Sequence, residues 1–225
     1  ARVLEIIRKI RQKYAVLIFL SLGERSESDY QAFFDAGVRG ALLRFESANP
    51  KIYSALRPKK KLEDRLKLIK SLKNIGYLVA TGFLVGLPNE TDTDILNNIK
   101  LTKKLKPEMY SFGPLIPHLD TPLASLKKIR LAKMLRVISL ARIIDKKSRI
   151  LVTTATETLA KPAKEKALSA GANSLMINVT PIDFRRLYDI YPNRRSRNIK
   201  VETQIARSLK LLYRLGRAPT DIGAQ

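Results

Sequence analysis

Arg44 and Glu46 stand two residues apart at the end of an apolar run, and their types suit the binding of a small charged ligand. Residues two apart in an extended strand project to the same face. A guanidinium binds a carboxylate through two parallel hydrogen bonds, so Arg44 could hold an acidic group of a ligand. The same spacing also fits a structural pair in which Arg44 and Glu46 brace the end of the strand.

Glu24 follows a second apolar run, directly after Ser21-Leu22-Gly23. A carboxylate at this point can accept hydrogen bonds from both hydroxyls of a ribose. A glutamate is equally favoured in the first turn of a helix, where the helix dipole stabilises negative charge. Glu24 is therefore predicted just past the end of a strand, with both roles open.

Thr153 and Thr154 provide two adjacent hydroxyls at the end of another apolar run, with Thr156 within reach. Such groups suit a small anion or a carboxylate, although threonine is also an ordinary strand residue and that role is the more frequent. His118 is the only histidine, and with no second type of metal ligand nearby it cannot anchor a metal ion. The turn that starts at Gly86 is not a phosphate-binding P-loop, because no Gly-Lys-Ser/Thr follows it.

The elements that must position these residues alternate between short apolar runs rich in β-formers and amphipathic stretches of helical period. Six strands are predicted, at Ala15–Leu22, Gly40–Glu46, Tyr77–Gly86, Met109–Ile116, Arg149–Thr154 and Ser174–Thr180. Helices are predicted at Val3–Tyr14, Ser28–Ala36, Leu62–Ile75, Asp92–Leu105, Ala124–Asp145, Lys161–Ala170, Ile182–Tyr191 and Val201–Leu215. Glycine ends three of these helices, where a helix that precedes a strand favours a positive φ, at Ala36-Gly37, Ile75-Gly76 and Ala170-Gly171.

Repeated βα units predict parallel strands, because each helix returns the chain to the same edge of the sheet. The polar residues described above then gather at the carboxyl ends of the strands, where both a (β/α)8 barrel and a doubly wound sheet have their sites. We predict an α/β fold with about six βα units, either of the TIM-barrel type or doubly wound. Six strands do not close an eight-stranded barrel, so about two more units, on the order of 60 to 100 residues, are expected before Ala1.

The chain has 225 residues, of which 45% are hydrophobic, and a formal net charge of +23. The length fits a single domain over residues 1–225, and no apolar run is long enough to span a membrane. The charge makes nucleic acid a partner to consider, but the lysines recur in helical stretches and no basic-aromatic RNA-binding pattern accompanies them. The absence of cysteine excludes disulfides, thiolate zinc sites, a cysteine nucleophile and a cysteine-held iron–sulfur cluster. We expect a cytoplasmic protein.

Several short segments at the strand ends form a pattern that covers nearly the whole chain. They are Ser21-Leu22-Gly23-Glu24, Leu42 to Pro50 with Leu56-Arg57-Pro58, Val85 to Pro88, Gly113 to His118, Asp120 to Ala124, Thr153-Thr154-Ala155, Gly171-Ala172-Asn173, Asn178 to Pro181, Leu187-Tyr188, Tyr191-Pro192 and Leu215-Gly216-Arg217. In order and spacing, the pattern resembles the radical S-adenosylmethionine enzymes of the biotin synthase-like group, and within it the HydE-type maturases of iron–iron hydrogenase.

The resemblance implies a (β/α)8 barrel that holds a 4Fe-4S cluster and S-adenosylmethionine at its top and generates a 5′-deoxyadenosyl radical. By matching position, it implies contacts to S-adenosylmethionine from Glu24, Arg44, Met176 and Tyr188. In that arrangement Arg44 meets the carboxylate and Glu24 lies near the ribose. An inner cavity for the substrate or a small anion is implied, lined by Thr153, Thr154, Tyr191 and Glu46. The implied substrate is a small thiol-derived or amino-acid-like molecule, and other hydrogenase maturation proteins are implied as partners.

The chain departs from the family because it lacks the Cys-x3-Cys-x2-Cys loop that follows the first barrel strand and binds the cluster. It corresponds to the last three quarters of a barrel, with the first two βα units absent, and is expected to be inactive by itself. Within the class, a biotin synthase or methylornithine synthase relative is the alternative, although Thr153-Thr154 and Pro117-His118 favour the maturase. From another class, the alternative is a basic, non-catalytic nucleic-acid-binding protein that reuses the barrel.

Overall fold

The computed structural model describes residues 2–185, 187 and 198–220, in which helices and short strands alternate. The helices are α1 (Arg2–Lys13), α2 (Glu27–Asp35), α3 (Pro50–Leu56), α4 (Leu62–Ile75), α5 (Asp92–Leu105), α6 (Leu131–Ile144), α7 (Thr154–Leu159), α8 (Ala163–Ser169), α9 (Ile182–Arg185) and α10 (Val201–Arg214). The strands are β1 (Phe19–Leu20), β2 (Gly40–Leu42), β3 (Leu78–Thr81), β4 (Leu84–Val85), β5 (Met109–Tyr110), β6 (Gly113–Pro114), β7 (Leu151–Val152) and β8 (Ser174–Leu175).

Every described strand pair is parallel, and the strands lie side by side in chain order. One sheet has the order β1-β2-β3-β5, while β4 pairs with β6 and β7 pairs with β8. Single parallel bridges join Glu46 to Phe83 and Tyr110 to Ile150, so the three groups form one succession. We call each strand position in this succession a stave. The first and second staves are β1 and β2, the third is β3 together with β4, the fourth is β5 together with β6, and the fifth and sixth are β7 and β8. The fold is α/β and of the TIM-barrel type, an incomplete barrel of six staves; the alternation predicted the parallel βα order, and the family resemblance implied the barrel.

The third stave is interrupted at Gly82, where the pairing register changes. The Gly82 carbonyl accepts hydrogen bonds from the N–H groups of both Phe45 and Glu46, at 2.9 and 3.2 Å. Two residues of one strand thus oppose one residue of the next, which is the arrangement of a β-bulge. The unbroken strand predicted at Tyr77–Gly86 is therefore wrong, because the register of β2 with β3 does not continue into β4. Met109–Ile116 is likewise two short strands, β5 and β6.

The predicted helix Ala124–Asp145 begins later than expected, at Leu131. Residues 117–126 form successive turns instead, in which N–H groups such as that of Ala124 donate to the carbonyl three residues earlier. Ile129 then lies against Gly86, so the segment crosses the carboxyl end of the third stave before the helix starts. The apolar spacing of this segment therefore serves a tertiary contact rather than a helical face.

The strand predicted at Arg149–Thr154 is also too long, because α7 begins at Thr154 and was not predicted. Thr153 caps that helix: its hydroxyl oxygen accepts a hydrogen bond from the Thr156 N–H at 3.3 Å. Only β1 forms within Ala15–Leu22, and only β8 within Ser174–Thr180. The glycine helix ends are confirmed by positive φ values of 103°, 109° and 123° at Gly37, Gly76 and Gly171.

The helices form an outer layer in which α2 packs on α4, α5 on α6, and α6 on α8. The hydrophobic core lies beneath this layer and includes the stacked rings of Phe83 and Phe112, whose centroids are 4.9 Å apart. Of the predicted helix Ile182–Tyr191, the structure describes α9, and Tyr191 lies outside the described residues. Among the described residues, no helix has both the length and the apolar character needed to cross a bilayer.

Candidate functional site

A cluster of charged side chains lies at the carboxyl ends of the first two staves. Glu24, which follows β1, accepts from Lys60 at 3.0 Å and from the Nε of Arg65 at 3.2 Å. Arg65 is only 2% exposed, and its Nε also lies 3.4 Å from the Tyr53 hydroxyl. The first turn of α4 therefore positions a buried guanidinium directly beside the carboxylate that follows β1.

Glu24 is held as an ionised carboxylate in this cluster. Burial acts to raise the pKa of Glu24, but the hydrogen bond from Lys60 and the charge of Arg65 outweigh burial, so the pKa is lowered. The preceding backbone is fixed as well, because the Tyr30 hydroxyl donates to the Gly23 carbonyl at 2.7 Å. Glu24 is thus positioned both through its carboxylate and through the chain that carries it.

The backbone at Glu46 leaves the extended strand conformation and has a φ of 67°. Its Oε1 lies 3.6 Å from an Nη of Arg57, and its side chain is 14% exposed. Burial raises the pKa of Glu46, against the lowering effect of Arg44, Arg57 and Arg65. The Glu46 Oε2 and the Arg57 Nε are both buried without a hydrogen-bond partner among the described residues. One buried acceptor and one buried donor of this ion pair thus have no hydrogen-bond partner among the described residues.

Arg44 reaches from the second stave to the fourth. Its Nε and Nη2 donate to the Ser111 hydroxyl at 3.1 and 3.0 Å, and Ser111 is fully buried between β5 and β6. Since helices cover the outer face of the sheet, this partly exposed side chain crosses the third stave on the inner face of the barrel. Arg44 therefore extends across the barrel interior, whereas Glu46 pairs with Arg57.

The threonine pair lies further along the same inner face. Thr153 is 4% exposed and packs so tightly on Gly113 that a Cβ at Gly113 would lie 2.5 Å from the Thr153 Oγ1. The Thr153 hydroxyl is also 3.0 Å from the Thr156 hydroxyl, so capping α7 already engages it. Thr154 is half-buried at the first position of that helix.

The structure brings Glu24 and Glu46 into one charged cluster and directs Arg44 inward from the same strand end. Met176 follows β8 and is 38% exposed, so it is not a core residue. Tyr188 and Tyr191, the remaining predicted site residues, lie outside the described residues.

Sequence reasoning missed Arg65, together with its neighbours Arg57 and Lys60. Arg65 shares the buried face of α4 with Leu62, Ile69 and Leu72. An arginine at an apolar position of an amphipathic helix was the available signal, because a buried guanidinium requires acceptors.

The loop after Glu46 is anchored to α5. The Ala48 N–H donates to the Asn98 Oδ1 at 2.5 Å, and the Asn49 Nδ2 donates to the Asp94 Oδ1 at 2.8 Å. Asn49 also caps α3 through its side chain, just before Pro50. The helix that carries Arg57 at its end is therefore fixed relative to the bulge that carries Glu46.

Fold and site together define a parallel βα barrel segment with a charged site at the carboxyl ends of its strands. The family model of the radical SAM superfamily matches residues 1–102, and that of the biotin and thiamin synthesis associated domain matches residues 111–216. By this match, residues 1–102 of the chain form a radical SAM superfamily domain.

Individual relatives agree with this assignment. The [FeFe] hydrogenase maturase subunit HydE of Thermotoga maritima is 38% identical over 215 residues, which are 96% of this chain and 62% of that protein. A biotin synthase of Acinetobacter baumannii is 29% identical over 77% of this chain and 52% of its own length. The crystal structure of methylornithine synthase (PylB) superposes with a TM-score of 0.81 at 20% identity, covering 98% of this chain and 64% of that one. The chain thus spans less than two thirds of the length of these relatives.

The residues present do not fit an iron–sulfur cluster, because the sequence has no cysteine. The described residues also contain no group of three or more histidine, cysteine, aspartate or glutamate side chains that could hold a metal ion. They do fit an organic ligand with hydroxyl, carboxylate or ammonium groups, since the unmet Glu46 Oε2 and Arg57 Nε offer it both an acceptor and a donor.

Proposed function

We propose that this chain forms the larger part of a radical S-adenosylmethionine enzyme similar to the HydE-type hydrogenase maturases, and that it binds S-adenosylmethionine and a small substrate. The observation that carries the proposal is the charged cluster in which the Glu46 Oε2 and the Arg57 Nε are buried and unmet. Buried polar groups in folded proteins have partners, so the pair marks a place where a ligand completes the hydrogen bonding.

S-adenosylmethionine lies across this cluster in our proposal, with Glu24 near its ribose hydroxyls and a guanidinium on its carboxylate. The family resemblance assigns the S-adenosylmethionine carboxylate to Arg44. Arg65, beside Glu24 in the cluster, is a second guanidinium. Met176, partly exposed after β8, and Tyr188 complete the contacts. When bound, S-adenosylmethionine supplies the 5′-deoxyadenosyl group from which the family takes its radical chemistry.

The substrate lies deeper in the barrel, in the region that Arg44 enters towards Ser111. Thr153, Thr154, Tyr191 and Glu46 line this cavity in our proposal, which suits a thiol-derived or amino-acid-like molecule with an anionic group. Relatives of biotin synthase or methylornithine synthase would use the same region for other substrates.

We further propose that the chain is a single domain over residues 1–225 and that two more βα units complete the barrel and supply the cluster. The exposed side chains at the two outer staves, β1 and β8, support the proposal that further units complete the barrel. Leu17 near β1 is 59% exposed, and Val179 after β8 is 70% exposed. Without cysteine ligands for the 4Fe-4S cluster, the chain alone is expected to be inactive. A cytoplasmic location and other hydrogenase maturation proteins as partners belong to the same proposal.

Titration calorimetry with S-adenosylmethionine tests the proposal. We expect saturable binding to the chain, weakened roughly ten- to a hundredfold by Arg44→Ala, because that change removes one side of a charge-assisted hydrogen bond. Lys127→Ala, on an exposed loop, is the control and is expected to bind normally. Absence of binding by the unaltered chain would contradict the function, whereas unchanged affinity in Arg44→Ala would remove only Arg44 from the site.

A further inference from the structure

A concentration of lysines lies at the end of the barrel opposite the candidate site. Helices run back along parallel strands, so the carboxyl ends of α4, α5 and α6 all lie at the amino ends of the strands. Lys73 Nζ donates to the carbonyls of Leu105 and Lys106 at 2.7 and 2.9 Å, and Lys103 Nζ donates to that of Ile144 at 2.7 Å. These bonds join the three helix ends into one surface. We call it the lysine face; it consists of Lys73, Lys103, Lys104, Lys106, Lys146 and Lys147.

Part of this charge has a structural explanation. Lysines near a helix carboxyl end stabilise the helix dipole, and Lys73 and Lys103 satisfy terminal carbonyls. The other four have no carboxylate within ion-pair distance in the part of the chain that the structure describes. Their charge remains available to a partner.

The acidic residues of the same turns are already engaged. Glu108 forms an ion pair with Arg149, and the Asp145 carboxylate accepts a hydrogen bond from the Tyr110 hydroxyl at 2.8 Å. The face therefore carries a strong net positive charge that its own carboxylates do not neutralise. Such a surface attracts a partner of opposite sign.

The composition of the face favours an acidic protein over a nucleic acid. Ile143, in the last turn of α6 and a few residues before Lys146 and Lys147, is 69% exposed, and an exposed apolar side chain with a polar rim is typical of a protein interface. Tyr77 and Tyr110 are the aromatic residues within residues 70–77, 103–110 and 142–149; they are 4% and 1% exposed and cannot stack on a base.

We propose that the lysine face is a docking surface for an acidic protein surface that also presents an apolar side chain to Ile143. The surface is separate from the ligand site, so docking leaves the mouth of the barrel open. This inference does not depend on the proposed function, because it uses no residue of the ligand site.

Binding of fluorescent polymers to the full chain at low salt tests the inference. The probes are poly-L-glutamate, a random copolymer of glutamate and tyrosine, and a short DNA duplex. One variant reverses Lys104, Lys146 and Lys147 to glutamate. A control variant with the same net charge reverses three exposed lysines near the amino ends of α6 and α8, namely Lys127, Lys128 and Lys161.

We expect charge reversal on the lysine face to weaken the binding of both glutamate-containing polymers about tenfold more than the control reversal does, because three exposed charge contacts are lost. Ile143→Ser should weaken the binding of the glutamate–tyrosine copolymer and leave the binding of poly-L-glutamate unchanged. Equal weakening by the control variant would overturn the inference, since binding would then follow net charge alone. Preferential binding of the DNA duplex to the same lysines would overturn the inference in favour of a nucleic-acid surface. No effect of Ile143→Ser on binding of the copolymer would overturn it as well, because the partner would then make no apolar contact with Ile143. If circular dichroism shows that the glutamate variant does not fold, glutamine at the same positions repeats the comparison.

Discussion

Arg65 supports the charged cluster as a buried cation beside Glu24. It is 2% exposed and lies 3.2 Å from Glu24, and its charge helps to lower the pKa of Glu24 and opposes the rise that burial causes in the pKa of Glu46. A guanidinium stays protonated, so its burial requires acceptors, and Glu24 and the Tyr53 hydroxyl supply them. Arg65 therefore stabilises the fold as well as any ligand that the cluster binds.

Replacement of Arg65 by methionine is expected to lower the free energy of unfolding by about 2 kcal/mol, because Glu24 and Glu46 lose a charged partner. Urea unfolding followed by circular dichroism measures the effect. Lys67→Met is the matched control, since Lys67 lies on the same helix and is exposed. Equal midpoints for the two variants would show that Arg65 contributes no more than a surface charge.

Glu90 is a second buried carboxylate, in the turn after β4. Its Oε2 accepts from the Gly86 N–H at 2.7 Å and lies 3.9 Å from Lys133 Nζ, and its side chain is 1% exposed. Burial raises the pKa of Glu90 to about 6; the Gly86 hydrogen bond and Lys133 oppose this, while Asp94 and Asp92 add to it. The folded chain therefore holds the Glu90 proton more tightly than the unfolded chain does.

Stability should depend on pH through Glu90 in a definite direction. The stabilisation from its proton is complete below its ordinary pKa of 4.5 and is lost as the pH rises through about 6. Glu90→Gln does not titrate, so its free energy of unfolding relative to the unaltered chain should rise by about 2 kcal/mol between pH 4.5 and 7.5. Urea unfolding at both pH values measures this. The exposed Glu63→Gln serves as control, and a Glu90→Gln difference that is constant with pH would refute the expectation.

Among the elements, the loop from Ser47 to Pro50 links the β-bulge to helix α3. Asn98 of α5 is fully buried and accepts the Ala48 N–H, while Asp94 receives the Asn49 side chain. Helix α5 thus holds the loop that follows Glu46, although it contributes no side chain to the charged cluster itself.

Asn98→Ala should destabilise the chain by about 1 to 3 kcal/mol, because it leaves the Ala48 N–H without its acceptor. Hydrogen exchange at Ala48 is expected to accelerate together with the loss of stability, which distinguishes a loosened loop from a general defect. The neighbouring Asn97 is exposed, so Asn97→Ala should change neither quantity. Unchanged exchange at Ala48 in Asn98→Ala would mean that the loop does not depend on α5.

At the scale of the whole molecule, net charge dominates the electrostatics. The chain carries a formal net charge of +23, and several of its lysines gather at the helix carboxyl ends. Repulsion among them opposes the compact state, and salt screens it. Exposed ion pairs, such as that of Lys9 with Glu5, contribute little in the opposite direction.

The melting temperature should therefore rise by about 3 to 6 °C between roughly 10 and 300 mM sodium chloride, as the Debye length shortens. Differential scanning calorimetry measures it. The variant with Lys104, Lys146 and Lys147 reversed to glutamate should show a smaller rise, because its repulsion is already reduced. A melting temperature that falls with salt would mean that attractive ion pairs outweigh repulsion.

The alternation of strands and helices could be predicted because local patterns carry it. The spacing of Leu62, Ile69 and Leu72 marks a helical face, and the glycines that end α2, α4 and α8 are confirmed by their positive φ. Strand lengths could not be predicted, because the bulge at Gly82 depends on how two strands meet. The true start of α6 depends likewise on the contact of Ile129 with Gly86.

The sequence by itself determined the parallel βα architecture, the strand-end positions of Glu24, Arg44 and Glu46, and the lack of cluster ligands, since each follows from residue type and short-range spacing. Only the tertiary structure decided which of these charges meet. It paired Glu24 with Arg65 and Glu46 with Arg57, and directed Arg44 to Ser111. Those contacts join residues distant in the chain, and they depend on the register between staves and the rotation of α4, which no local pattern records.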